Sequence, residues 1–266
     1  MSNKESTQKT ILVAFLLCLV CSIVIAGSVV ILKPTQEINK ALNLKVNILA
    51  AAGLLPESDK PADIEAAFSK IEAKIVDLDT GEYVEPEVVG RKKALAYDQR
   101  KAAKNPKLSD FLPAEDDIAS IKRRVKYAKV YLVKNDDQLE TIIIPVNGYG
   151  LWSTLYGFIA LEKDANTIVG LGFYEHAETP GLGGEVDNPR WKAFWPGKKL
   201  YDLDESTEPK IHLMKGSVDK SSKAIDYQVD GLAGATLTSR GVTNLIQFWV
   251  GENGFQRYLS RLRKEA

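Results

Sequence analysis

Cysteine is almost missing from this chain of 266 residues: there are two, Cys18 and Cys21, and both fall inside its one long apolar run. The rest of the protein therefore carries no disulfide and no thiolate nucleophile. Two thiols supply only half of a tetrahedral metal site and no histidine lies near them, so they read as small apolar residues. Histidine is as scarce, with only His176 and His212, both read as polar structural residues, and no metal-ligating cluster is expected. Charge of one sign is lacking too. Lys+Arg and Asp+Glu are each 35, which removes the global field that would steer the protein to nucleic acid. No Gly-x-Gly-x-x-Gly follows a strand, and neither a Ser-His-Asp order nor a Gly-rich lysine loop is present, so a dinucleotide or P-loop site is unsupported. Repeats and low-complexity tracts are absent as well.

What is there begins with Ile11 to Leu32, which holds no charged residue. As a helix it is about 33 Å long, enough for a hydrocarbon core of about 30 Å. A signal peptide's apolar region is about 7–15 residues, and the most signal-like cleavage site, around Ala26-Gly27, lies inside this run. Bulky Val20 before Cys21 argues against a lipoprotein. A retained single span in a lipid bilayer is expected, with residues 1–10 as a tail. Charge does not orient it: Lys4 and Lys9 with Glu5 precede the span, and Lys33, Lys40 and Lys45 with Glu37 follow it.

Beyond Lys33-Pro34 a helix is predicted with Leu42, Val46 and Leu49 on one face, ending near Gly53. A second starts at Pro61, which suits a first turn; Ile64, Phe68, Ile71 and Ile75 recur at helical spacing. Residues 86–120, rich in charge, Ala and Pro, read as a surface excursion with short helices. From Tyr127 the pattern becomes strand: Tyr127 to Val133, a turn at Asn135-Asp136-Asp137, Thr141 to Val146, Gly157 to Leu161 and Thr167 to Phe173. Tight turns between them imply antiparallel pairing. The end is helical, with Val242, Leu245, Ile246 and Trp249, then Phe255, Tyr258, Leu259 and Leu262 after Gly251 to Gly254. The organisation expected is a span (11–32), a helical and irregular segment (33–126) and an α+β domain (127–266) of antiparallel sheet with flanking helices.

Three segments could carry chemistry: Gly148-Tyr149-Gly150-Leu151-Trp152, His176-Ala177-Glu178-Thr179-Pro180-Gly181-Leu182-Gly183-Gly184, and Asp230-Gly231-Leu232-Ala233-Gly234-Ala235-Thr236. Singly, each could be a hairpin turn, a loop or a tight turn before a helix. Together they make a different set. Trp152 offers a flat apolar face for an isoalloxazine, and Gly181, Gly183 and Gly184 would admit a planar ring against the backbone. A helix start at Thr238 and Ser239 would bring free amides and the favourable end of the helix dipole to a phosphate.

These segments, with the span, resemble the C-subunit family of the Na⁺-translocating NADH:quinone oxidoreductases, over essentially the whole chain. The resemblance implies a periplasmic FMN-binding domain on one helix in the bacterial inner membrane, among the other subunits of the complex. It also implies FMN attached by a flavin transferase through a phosphoester to Thr236, within the motif residues Asp230, Gly231, Gly234, Ala235 and Thr236. FMN contacts then fall to Trp152, Glu178, Thr179, Gly181, Leu182, Gly183, Gly234, Ala235, Leu237 and Thr238. The implied task is electron relay between neighbouring redox centres while NADH is oxidised, ubiquinone reduced and Na⁺ exported. One departure is plain: Ala233 stands where the family usually has Ser or Thr, so a hydrogen bond from that hydroxyl is lost. Rival readings are the related G subunit of the Rnf ferredoxin:NAD complex, and a membrane-anchored flavin sensor or assembly module.

Overall fold

The computed structural model describes residues 6–136 and 138–265; Lys4 and Glu5 of the expected tail, Asp137 of the expected turn and the terminal Ala266 lie outside the described residues. The chain divides into two compact units, Met1–Asn43 and Leu44–Ala266.

From Thr7 the first unit is helix, the greater part of α1 (Thr7–Ala51). Its apolar stretch is exposed all round, and by length and composition it can cross a membrane. A break was expected at Lys33-Pro34, but α1 runs through Pro34. A proline there removes one N–H and crowds the preceding turn; the regular helix on both sides tolerates that local loss. In the second unit α1 ends on a Schellman motif. The Gly53 amide donates to the Ala50 carbonyl and the Leu54 amide to the Leu49 carbonyl, with Gly53 at φ 68°.

α2 (Pro61–Phe68) buries Ile64 and Phe68 as its spacing predicts. Ile71 and Ile75, expected on the same helix, belong instead to strand β1 (Ile71–Asp77). An i, i+4 repeat satisfies a period of 2 as well as one of 3.6. Pairing decides: β1 is antiparallel to β5 from Ile71 opposite Val133 to Asp77 opposite Tyr127. β2 (Tyr83–Val84) pairs on its other side.

The stretch 86–120 holds 3-10 turns at Pro86–Val89 and Ala94–Ala96, the short helix α3 (Gln99–Ala102), and β3 (Ser109–Phe111), which pairs with β4 (Arg123–Val125). Lys129 pins it to the sheet, its Nζ donating to the carbonyls of Leu95 (3.2 Å) and Tyr97 (2.8 Å). Then come β5 (Tyr127–Asn135), β6 (Gln138–Tyr149), β7 (Thr154–Glu162) and β8 (Ile168–Glu175). The sheet order is β2-β1-β5-β6-β7-β8, antiparallel throughout. Thus two of its strands come from before Tyr127.

Ile142, Ile143 and Ile144 are each fully buried in succession, which a strand permits only when both sheet faces are covered. On one face lie Val130, Leu132, Ile144 and Ile159 with Val242, Leu245, Ile246 and Trp249 of α5 (Thr236–Val250) and with α6 (Gln256–Glu265). On the other, Phe68, Tyr131 and Phe158 stack edge to face at 6.2 and 5.8 Å between ring centres. Between β8 and α5 the chain forms α4 (Pro189–Lys192) and a small parallel pair, β9 (His212–Leu213) with β10 (Gln228–Val229). A test of the packing is Ile144→Ala: truncating this fully buried residue costs about 2–5 kcal/mol, read as an earlier denaturant midpoint with unchanged slope.

Candidate functional site

The strand turn after β6, the loop after β8 and the start of α5 meet at one side chain. Glu178 is 5 % exposed. Its Oε1 accepts from the amides of Leu151 (3.1 Å), Trp152 (3.0 Å) and Ser153 (3.3 Å), and its Oε2 accepts from the Thr238 hydroxyl at 2.7 Å. Burial pushes its carboxyl pKa up, but the Thr238 hydroxyl and the three amides outweigh burial and hold it below the ordinary glutamate value. A buried carboxylate thus stays ionised with neutral donors only.

Small residues make this closure possible. A Cβ on Gly150 would lie 2.6 Å from Glu178 Oε1, and one on Gly183 would lie 2.7 Å from Oε2 and 2.5 Å from Thr238 Oγ1. One on Gly241 would lie 2.5 Å from the Tyr149 carbonyl, so α5 sits directly on the end of β6. Neighbouring bonds fix the loop itself. The Glu178 amide donates to His176 Nδ1 (3.2 Å), which leaves the His176 Nε2–H to donate to Asp187 (2.7 Å). The Ala177 amide donates to Ser153 Oγ at 2.7 Å. The other histidine, His212, lies in β9 and bonds the Lys210 carbonyl.

The segment before α5 is held as tightly. Asp230 Oδ1 accepts from the Val218 amide (2.8 Å), and the Asp230 carbonyl accepts from Trp191 Nε1 (2.9 Å). Gly231 approaches the Met214 carbonyl too closely for any side chain. The Leu232 amide donates to Ser239 Oγ (2.9 Å), and Gly234 takes φ 71°, a conformation glycine adopts without strain. Helix α5 begins at Thr236, ahead of the expected start at Thr238 and Ser239. Its first intrahelical bond runs from the Ser239 amide to the Ala235 carbonyl, and no side chain caps it. The amides of Thr236, Leu237 and Thr238 therefore have no partner within the helix.

The expected site residues fall into two layers. Thr236, Trp152, Thr179, Gly181, Leu182, Gly234 and Leu237 are exposed, Trp152 by 65 %. Glu178, Gly183, Ala235 and Thr238 are buried beneath them. Leu182 reaches Gly234, where an added Cβ would lie 3.0 Å from its Cδ2, so the loop after β8 touches the α5 entry. Glu178 is thus part of the floor, with both oxygens turned into the protein. Trp191, Ser153, Val218 and Ser239 were not legible as site residues; each acts through a contact 7 to 39 positions away, and no local pattern marks it.

FMN fits this surface. A dianionic phosphate finds an exposed hydroxyl and three unpaired amides at the positive end of a fifteen-residue helix. A planar ring finds exposed apolar faces on Trp152, Leu182 and Leu237. Among the described residues there is no group of His, Cys, Asp and Glu that could hold a metal ion.

Because the folded-state pKa of Glu178 lies below its unfolded value, its contribution to stability is complete above the ordinary glutamate range. It is lost as pH falls through the depressed pKa. Denaturant midpoints of wild type and Glu178→Gln should accordingly be well separated at neutral pH and converge on acidification. A gap independent of pH would contradict the ionised state.

A family model described as FMN-binding domain matches residues 150–251, a span that contains the second and third segments and the first from Gly150 onward. Over 265 residues the chain is 55 % identical to the C subunit of a Na(+)-translocating NADH-quinone reductase from Pseudomonas aeruginosa, covering 99 % of each. It is 45 % identical to the C subunit of the same reductase from Pasteurella multocida, over 98 % of this chain and 96 % of the relative. The crystal structure of Shewanella oneidensis NqrC superposes with a TM-score of 0.75 at 36 % identity, over 85 % of this chain and 99 % of that one. An apolar N-terminal helix, an antiparallel sheet closed by α5, and near full-length similarity to these proteins converge: the chain belongs to the family of C subunits of the Na⁺-translocating NADH-quinone reductases, with an FMN-binding domain.

Proposed function

We propose that Thr236 carries FMN as a phosphoester and that the chain relays electrons between redox centres of neighbouring subunits of a Na⁺-translocating NADH:quinone reductase. The observation that supports this most is the exposed Thr236 hydroxyl on the uncapped first turn of α5. Thr236 would hold FMN through its Oγ: on attachment by a flavin transferase the Thr236 O–H bond and the bond from the FMN phosphorus to the flavin donor's leaving group would break, the P–Oγ bond would form, and the proton would depart with the leaving group. The amides of Thr236, Leu237 and Thr238 then face the phosphate's remaining oxygens, and the helix dipole favours their charge. Trp152, Leu182 and Leu237 hold the ring and keep water from its faces, with Thr179, Gly181, Gly183, Gly234 and Ala235 shaping the backbone around it. When bound, FMN supplies the capacity to accept and pass on electrons; the protein supplies position and electrostatics.

Asp230 orients the motif through its bond to the Val218 amide, so that Thr236 is presented to the transferase. A covalent link suits a domain outside the cytoplasm, where a dissociated cofactor would be lost. In this reading α1 anchors the chain in the inner membrane with the second unit on the periplasmic side. Its span carries no charge, so this subunit does not carry the ion by itself.

The test is expression in a host with its own flavin transferase, followed by a denaturing gel under ultraviolet light. The wild-type band fluoresces and Thr236→Ala does not; fluorescence retained in Thr236→Ala would refute the assignment.

A further inference from the structure

Glu178 does more than join segments. Each of the three segments assigned to the flavin is bonded to the same carboxylate or packed on it: the turn at Leu151, Trp152 and Ser153, the loop at Gly183, and α5 at Thr238. Wherever the ring rests among them, this carboxylate lies in the floor below. The groups bonded to it from the turn and from α5, three backbone amides and the Thr238 hydroxyl, are all neutral. On its own loop the nearest titratable group is His176, whose Nδ1 takes the Glu178 amide hydrogen while Nε2 faces Asp187. Lys192 pairs with that same Asp187 at 3.3 Å. Among the described residues the Glu178 carboxylate makes no ion pair, and its negative charge is stabilised by the dipoles of its four donors.

We propose that Glu178 is a fixed negative charge that holds the flavin's reduction potential low, so that this protein passes electrons on readily. The inference rests on FMN being held at Thr236. Adding an electron near a buried anion is unfavourable, and across about 10 Å at an effective dielectric constant of about 20 the coupling is on the order of tenfold in an equilibrium constant. Electrons enter from the donor centre of the complex and leave to the acceptor centre. Glu178 itself gains neither electron nor proton, because its hydrogen bonds keep it ionised in both states.

The experiment is a spectroelectrochemical titration of the purified, flavinylated full-length chain. Glu178→Gln keeps an oxygen for the three amides but removes the charge. Reduction should become about tenfold more favourable, a positive shift of about 59 mV for a one-electron couple. Thr238→Val removes one stabilising donor and leaves the charge less compensated, so its potential should move the opposite way, severalfold toward the oxidised form. Opposite signs support the proposal, because loosening of the fold alone would not reverse direction between the two variants. Unmoved potentials, or shifts of the same sign, overturn it. Should Glu178→Gln fail to take up flavin, Thr238→Val decides alone: a lower potential supports the proposal, and an equal or higher one overturns it. A wild-type chain without covalent flavin overturns the underlying reading and this inference with it. A flavinylated wild type with unmoved variants overturns this inference only.

Discussion

Four neutral donors converging on one buried carboxylate hold the site together. Leu151, Trp152 and Ser153 give their amides and Thr238 its hydroxyl to Glu178. A lone charge placed in a protein interior is costly unless its hydrogen-bonding capacity is met. Here it is met from two stretches of chain that are remote in sequence from Glu178, so displacing either of them leaves the charge short of a donor. That dependence fixes the turn after β6, the loop after β8 and the first turn of α5 relative to one another. The exposed layer of Thr236, Trp152, Leu182 and Leu237 inherits its geometry from this floor. The glycines at 150, 183 and 241 are the steric condition for it, since a methyl group at any of them would intrude on Glu178 or on the end of β6.

Much of this was readable in the sequence, and the limits have physical reasons. The apolar run declared its element by length, the stripe Val242, Leu245, Ile246 and Trp249 by its helical period, and the antiparallel strands from Tyr127 on by β-rich runs between turn residues. Ile71 and Ile75 did not, because their spacing fits helix and strand alike and only the pairing of β1 with β5 decides. Pro34 marks a boundary in most helices, yet here α1 absorbs it. At the site, Thr236 and the glycine-rich loop stood out by composition. The role of Glu178 did not, since its partners lie 25 to 60 positions away. A glutamate beside exposed loop residues reads as a ligand until its burial is known.

Similarity over nearly the whole chain fixes what kind of subunit this is and that its fold includes an FMN-binding domain. It leaves open which threonine would be the acceptor that the proposed function requires. Two features support the proposal of Thr236: it combines exposure with the start of a helix whose first amides have no partner within the helix, while Thr238, two residues on, is buried with its hydroxyl committed to Glu178. Ala233 sits on the exposed side of the same turn. The hydroxyl missing there leaves the bonds that hold Asp230, Gly231 and Leu232 untouched.

The electron-relay reading stands or falls on what Thr236 carries. Mass spectrometry of the intact chain isolated from its native membrane addresses that most directly, with a peptide map to locate any addition. The expected result is the mass of the polypeptide plus FMN less one water, with the increment on the peptide that contains Thr236. A chain at the mass of its amino acids alone, or an increment on another residue, would contradict it.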